Sequence, residues 1–241
     1  MVEADAILFD AYGTVLDIGT YHRDITQHVV QQSKTLFGIN TSVDEFNAYW
    51  NEEFEFAFND VIAYCGEFRN MRDLYGISTR NVFHRYGIQM PDAYIEKLNH
   101  IYKKMLDEAV TILPNVKKTL DTLYANGYRL GMVSNGDTAE LSAHLNGVSD
   151  LFDVVVTSEE VEVYKPHPRI FNETLQKMGT VREKTAFVGD AIKSDVCGAK
   201  KAGLTAIWYN KRQRTPTPDV RPDFEIRDMA EILEIVELRK Q

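Results

Sequence analysis

The stretch Ala6-Ile7-Leu8-Phe9-Asp10-Ala11-Tyr12-Gly13-Thr14 joins a short apolar run to an acid and then to a glycine-containing turn. Residues 4–9 read as a buried strand feeding a loop, because the run is brief, apolar throughout and closed by turn residues. Similar runs return far downstream at 129–134, 153–157, 185–189 and 204–209, rich in β-branched and aromatic residues. Helical patterns separate them at 115–125, 170–177 and 195–202, and a strand near Phe224 with a helix over about 227–239 closes the chain. Strands alternating with helices predict an α/β fold, a Rossmann-like parallel sheet covered on both faces.

Residues 19–107 break the alternation. They hold no buried-strand run, but amphipathic helical stretches at about 21–37, 43–58, 69–74 and 92–106. The expected organisation is a Rossmann-like core of residues 1–18 and 108–241, with a helical cap domain of residues 19–107 inserted after the first strand. Fifteen aromatic residues fall in the insert, among them Trp50, Phe54, Phe56 and Phe58. They read first as the insert's own core and second as lining for a cleft or a dimer face. Residues 215–219, Thr-Pro-Thr-Pro-Asp, form a turn-rich loop.

The chain has 241 residues, 44% hydrophobic and 26% charged, which is the composition of an ordinary globular protein and excludes disordered, collagen-like and coiled-coil classes. With 27 Lys+Arg against 36 Asp+Glu the net charge is −9, so a nucleic-acid partner is not expected, whereas a small anionic substrate is compatible with a locally positive site. Two cysteines, Cys65 and Cys197, make neither a disulfide framework nor a cysteine zinc site. The apolar run at 6–9 is too short for a signal-peptide core, and no window reaches the roughly 20 apolar residues of a membrane span. A cytoplasmic protein with no membrane partner, monomer or homodimer, is the expectation.

Ligands of an open parallel sheet bind beyond the carboxyl ends of its strands. Four such ends here carry polar groups: Asp10 to Thr14; Ser134-Asn135-Gly136-Asp137; Lys165 before Pro166; and Gly189-Asp190 through Asp195. Each alone could be turn or surface chemistry, and Asp195 could be a helix N-cap. Together at successive strand ends they point to one site.

These four segments resemble the motifs of the haloacid dehalogenase superfamily of hydrolases. Phe9 to Asp17 is similar to its first motif, Val133-Ser134-Asn135-Gly136 to the second, Tyr164 to Phe171 to the third, and Gly189-Asp190 through Asp195, with Gly198, Ala199 and Gly203, to the fourth. The resemblance spans the chain and includes the helical cap. It implies that Asp10 is a nucleophile forming a covalent intermediate. Thr14 and Ser134 would hydrogen-bond substrate or nucleophile, and Lys165 would neutralise charge beside Asp10. Tyr12, Asn135 and Gly136 would contact substrate. Asp10, Asp190, Asp195 and the Tyr12 main-chain carbonyl would place a Mg²⁺.

The motifs mix two branches of that superfamily. Its phosphatases carry Asp two residues after the nucleophile to protonate the leaving oxygen; Tyr12 stands there, as in L-2-haloacid dehalogenases. The fourth motif is of the phosphatase kind, whereas the dehalogenases carry Ser-x-Asn and use no metal. The dehalogenases also place Arg after a Trp in the cap. Here Trp50 is followed by Asn51, Glu52 and Glu53, leaving Arg69 or Arg72 as substitutes, and a Tyr of the third motif is replaced by Phe171. The leading expectation is Mg²⁺-dependent hydrolysis of a small phosphomonoester through an aspartyl-phosphate. The alternatives are metal-independent dehalogenation of L-2-haloacids and a non-enzymatic Mg²⁺- or phosphate-binding role. His22, just past the first motif, is the candidate replacement proton donor, its plainer reading being a surface residue at a helix start.

Overall fold

The computed structural model describes residues 1–62, 67–215 and 220–237. Cys65, four of the five residues of the turn-rich 215–219 loop and the end of the expected closing helix lie outside the described residues. The chain divides into two compact units, one comprising Met1–Asp17 with Thr111–Gln241 and the other Ile18–Val110.

The first unit is built on β1 (Ala6–Phe9), a ribbon of β2 (Leu16–Asp17) and β3 (Thr111–Ile112), and then β4 (Arg129–Ser134), β5 (Val154–Thr157), β6 (Thr185–Gly189), β7 (Thr205–Tyr209) and β8 (Phe224–Ile226). Six strands form one sheet in the order β5-β4-β1-β6-β7-β8, every pairing parallel. Residues of β1, β4 and β6 are almost wholly buried, as a sheet covered on both faces requires. β1 lies between β4 and β6, so the first strand of the sequence occupies a central position and its carboxyl end is flanked by those of two neighbours.

Helix Pro168–Met178 covers one face through Ile170, Phe171 and Leu175, with the Phe171 ring edge-on to Phe187 at 5.2 Å. Phe171 is therefore a core residue with no hydroxyl to offer a ligand. The expected single helix over 195–202 instead consists of a π-helical turn, Ile192–Val196, followed by Cys197–Ala202. The expected long closing helix is also corrected. A 3₁₀ turn, Met229–Glu231, leads into Ile232–Ile235, and Val236 then turns extended and bridges to Val2.

The second unit comprises four helices, α1 (Tyr21–Phe37), α2 (Val43–Ile62), α3 (Met71–Arg85) and α4 (Asp92–Ala109). α1 stops at Gly38, whose left-handed backbone (φ 69°) lets its N–H reach back to the helix carbonyls. The short helix expected at 69–74 begins instead at Met71, capped by Asn70, and continues to Arg85. Tyr75-Gly76-Ile77-Ser78-Thr79 is a poor helix former by propensity. Tertiary contacts override it: Thr79 accepts from the Trp50 indole and bonds the Tyr102 hydroxyl, while a Cβ at Gly76 would stand 3.2 Å from Ile95.

The aromatic residues of this unit divide as amphipathic helices dictate. Phe46 and Phe83 are buried, packed edge-on with ring centroids 5.8 Å apart, and Phe83 also meets Phe37 and Tyr94. Phe56 is 73% exposed. Among the described residues, no helix is long and apolar enough to cross a membrane.

Phe83→Ala is expected to destabilise the helical unit by about 3–5 kcal/mol. Phe56→Ala is expected to change stability by no more than about 0.5 kcal/mol. Urea unfolding followed by circular dichroism distinguishes the two.

Candidate active site

The carboxyl ends of β4, β1 and β6, adjacent in the sheet, deliver the polar groups. Asp10 is the first residue past β1, and its N–H still bonds Val188 O of β6, which fixes where its side chain leaves the sheet. The chain then doubles back through Gly13, at φ 96°, a conformation that favours glycine; a Cβ there would stand 2.9 Å from the Asp190 carboxylate. The turn brings Thr14 round to donate from Oγ1 to Asp10 Oδ2 at 2.9 Å.

Lys165 is 1% exposed, yet its ammonium is fully partnered. It donates to Asp10 Oδ1 at 2.6 Å, to Val133 O at 2.9 Å and to Asp195 Oδ1 at 2.9 Å. Its main chain is clamped by Asn135, whose Oδ1 accepts from Lys165 N at 2.7 Å and whose Nδ2 donates to Lys165 O at 3.1 Å. Asn135, expected among the substrate contacts, thus has its amide engaged in placing the lysine.

Asp195 sits inside the π-helical turn and is 1% exposed. It does not cap the following helix; its Oδ2 reaches back to the N–H of Ala191 at 2.9 Å. Asp190 is half-buried, with its main-chain carbonyl accepting from the Trp208 indole at 2.9 Å and from the Arg214 guanidinium. One carboxylate oxygen from each of Asp10, Asp190 and Asp195 lies within 4.8 Å of the others. A Cβ at Gly189 would fall 2.5 Å from the Asp195 Cβ, so only glycine leaves that side chain its place.

Three carboxylates face two cations: Asp10 and Asp195 share the ammonium of Lys165, and Asp190 Oδ2 pairs with Arg214 at 3.4 Å. Like charges some 4 Å apart repel by about 4 kcal/mol at the effective dielectric of a protein site. Burial, opposed by Lys165 and reinforced by Asp195 and Asp190, pushes the Asp10 carboxyl up to about 7. Burial and then Asp195 also raise Asp190, against the pull of Arg214. Burial alone would lower Lys165, but Asp10 and Asp195 outweigh it and hold the ammonium above its ordinary range. Such a cluster of hard oxygens with surplus negative charge fits a divalent cation of the Mg²⁺ type.

Ser134 Oγ is the one buried side-chain polar atom among the described residues without a hydrogen-bond partner. A buried hydroxyl left so is destabilising unless a ligand completes it. Gly136 adjoins it, and a Cβ there would press to 3.3 Å from Ser134 Oγ and 3.5 Å from the Tyr12 ring.

Tyr12 has its hydroxyl 2.8 Å from His144 Nδ1, the two rings meeting edge to face. His144 and Arg214 went unnoticed in the sequence. A histidine ending a short helix and an arginine in a polar loop carry no spacing signal, and only the fold brings them to Tyr12 and Asp190. His22, Arg69 and Arg72 belong to the helical unit. His22 is exposed at the start of α1, and Glu52 and Glu53, which follow Trp50, both pair with Arg85.

The sequence model of the haloacid dehalogenase-like hydrolase family matches residues 63–209. Over 99 residues the chain is 44% identical to a glyceraldehyde 3-phosphate phosphatase of Methanothermobacter thermautotrophicus, a match covering 40% of this chain and 44% of that one. The chain thus spans less than half the length of that curated relative. The crystal structure of a HAD phosphatase from Thermococcus onnurineus is similar at 28% identity and a TM-score of 0.67, over 96% of this chain and 97% of that one. An L-2-haloacid dehalogenase from Xanthobacter autotrophicus shares the fold, with a TM-score of 0.72 at 18% identity over 98% of each chain.

Two outcomes follow from the crowding of charge. An Asp carboxyl raised to about 7 in the folded state, against 3.8 ordinarily, binds more protons folded than unfolded between those values. In EDTA, stability is therefore expected to fall as pH rises from about 4 to about 7, and Asp10→Asn to flatten that slope in urea titrations. Gly189→Ala is expected to displace Asp195 and abolish the affinity for Mg²⁺ measured by calorimetry, while Phe56→Ala, at an exposed side chain, serves as the control.

Proposed function

The chain belongs to the haloacid dehalogenase-like hydrolases, and we propose that it is a Mg²⁺-dependent phosphatase acting on a small phosphomonoester through an aspartyl-phosphate at Asp10. The observation that carries this reading is the meeting of the Asp10, Asp190 and Asp195 carboxylates, with Lys165 on the first and last and Arg214 on Asp190. Their surplus negative charge repels an anionic substrate unless a cation joins them. Similarity to phosphatases from Methanothermobacter thermautotrophicus and Thermococcus onnurineus supports the same choice.

The carboxylates of Asp10, Asp190 and Asp195, with the Tyr12 carbonyl, would hold the Mg²⁺. When bound, it neutralises charge on the phosphoryl oxygens. Lys165 favours the ionised form of Asp10 and holds it in place, so that a carboxylate oxygen attacks phosphorus while the bond to the alcohol oxygen breaks. Thr14 holds the nucleophile's other oxygen, and Ser134 Oγ, otherwise unpartnered, donates to the transferred phosphoryl group. Water then attacks the aspartyl-phosphate at phosphorus, releasing phosphate and restoring the Asp10 carboxylate. The protein works in the cytoplasm on this reading, with the helical insert serving as the cap.

Position 12 supplies no carboxylic acid for the departing oxygen. General acid help is worth about 10²–10⁴ in rate, so the enzyme favours substrates whose alcohol leaves readily. Tyr12 is also what supports the second reading, dehalogenation, since halide departs without a proton.

p-Nitrophenyl phosphate, with its good leaving group, is expected to be hydrolysed with Mg²⁺, not in EDTA, and at least about 10³-fold more slowly by Asp10→Asn. Chloride release from L-2-chloropropionate that survives EDTA, with no phosphatase activity, would overturn the proposal in favour of the dehalogenase.

A further inference from the structure

Two cations face the carboxylate cluster, and the protein holds them differently. Lys165 is buried, its side chain 1% exposed and each of its N–H groups partnered. Arg214 stands partly in solvent, its side chain 45% exposed. Its Nη2 lies 3.4 Å from Asp190 Oδ2 and donates also to the Asp190 carbonyl. Asp190 has no other ion pair among the described residues.

Arg214 belongs to the loop that leaves β7, and that loop is tied down from inside. Asn210 is 1% exposed. Its Nδ2 donates to Arg214 O at 2.8 Å and to Glu225 Oε1 of β8 at 3.0 Å, while its Oδ1 accepts from Arg214 N at 2.8 Å. Between them Gln213 N bonds Asn210 O at 3.0 Å, and Gln213 takes a left-handed backbone (φ 51°) that residues with side chains seldom adopt. Asn135 clamps the main chain of Lys165 in the same two-ended way. The Arg214 guanidinium lies 6.0 Å over the Trp208 ring, whose indole N–H donates to the Asp190 carbonyl. The main chain of Arg214 is thus fixed, while its side chain keeps access to water.

An exposed ion pair contributes little, because water and salt screen it. Lys165 cannot be withdrawn from its acceptors without stranding buried charge. The Arg214 guanidinium can leave Asp190 at small cost, exchanging one contact for hydration. A divalent cation on the three carboxylates needs that same Asp190 carboxylate, and it repels a guanidinium held beside it.

We propose that Arg214 is a positioning residue of the metal site, an exchangeable counter-charge that holds Asp190 in the metal-free protein and yields the carboxylate to an arriving Mg²⁺. The inference rests on the metal reading above, so binding and metal-free stability are measured apart from activity. Arg214 then stabilises the metal-free state more than the loaded one, and its removal has two linked effects.

The full chain is titrated with MgCl₂ by calorimetry and unfolded in urea, once in EDTA and once in saturating Mg²⁺. Arg214→Gln is expected to tighten Mg²⁺ binding about two- to fivefold, the worth of an exposed ion pair expressed as a ratio. In EDTA it is expected to unfold at lower urea than the unmodified chain, and the gap to close in saturating Mg²⁺, because what the metal-free state loses reappears as tighter binding. Arg214→Lys keeps the charge and is expected to match the unmodified chain in both measurements. A residue that merely shaped the loop would give the opposite pattern, weaker binding and a gap that persists with metal. Circular dichroism verifies the fold of each variant. Binding by Arg214→Gln that equals or falls below that of the unmodified chain overturns this proposal alone. Mg²⁺ binding that is absent from the unmodified chain, or that survives Asp190→Asn, overturns the metal reading and this proposal with it.

Discussion

A lysine ammonium at 1% exposure survives in this protein because each of its three N–H groups meets an acceptor, and each acceptor is delivered by a different strand end. Val133 is the next-to-last residue of β4, Asp10 follows β1, and Asp195 lies in the π-helical turn that follows β6. Stripping a buried charge of its partner costs about 3–5 kcal/mol, so the three ends are bound to one another through Lys165. The strand order β4-β1-β6 is what makes the arrangement possible. Asn135 secures the lysine's main chain from the same side. Displace the ammonium and Asp10 loses both its counter-charge and its orientation.

That arrangement leaves charge unbalanced by design of its residues rather than by error of packing. Gly13 and Gly189 are open only so that Asp190 and Asp195 can approach; a side chain at either position would meet a carboxylate. Asp195 enters through a π-helical turn that spends one of its oxygens on Ala191 N–H. Local regularity has been given up twice, in a left-handed glycine and a π turn, to bring like charges together. Irregular backbone of this sort gathers at functional sites, where the local cost is carried by the rest of the fold.

Much of this was legible in the residues. The parallel strands stood out because buried strands are short, apolar and bounded by turn residues, and Arg129–Ser134 and Thr185–Gly189 match the reading end to end. The α1 helix, Tyr21–Phe37, does likewise. Asp10, Thr14, Lys165 and Asp195 are brought together as their motifs implied. What escaped the sequence was tertiary in origin. α3 runs through a glycine and hydroxyl residues because Thr79 and Gly76 meet α2 and α4. The closing helix ends early because Val236 finds a strand partner in Val2. Nothing near His144 or Arg214 announces their neighbours, which lie 132 and 24 residues away.

Tyr12 and the carboxylate cluster draw the reading of the reaction in different directions, and the physics of each decides how far. A missing acid slows departure of a poor leaving group but prevents nothing. A crowded set of three carboxylates with only Lys165 and Arg214 to balance them, by contrast, opposes any anionic substrate until a further cation joins it. The first defect scales with the leaving group's own basicity; the second applies to every anion. The cluster therefore constrains the chemistry more strongly than the tyrosine does. The hydrogen bond between the Tyr12 hydroxyl and His144 Nδ1 keeps the phenol occupied along a direction of its own. A phosphatase with readily departing alcohols satisfies both constraints at once, whereas a metal-free dehalogenase satisfies only the first.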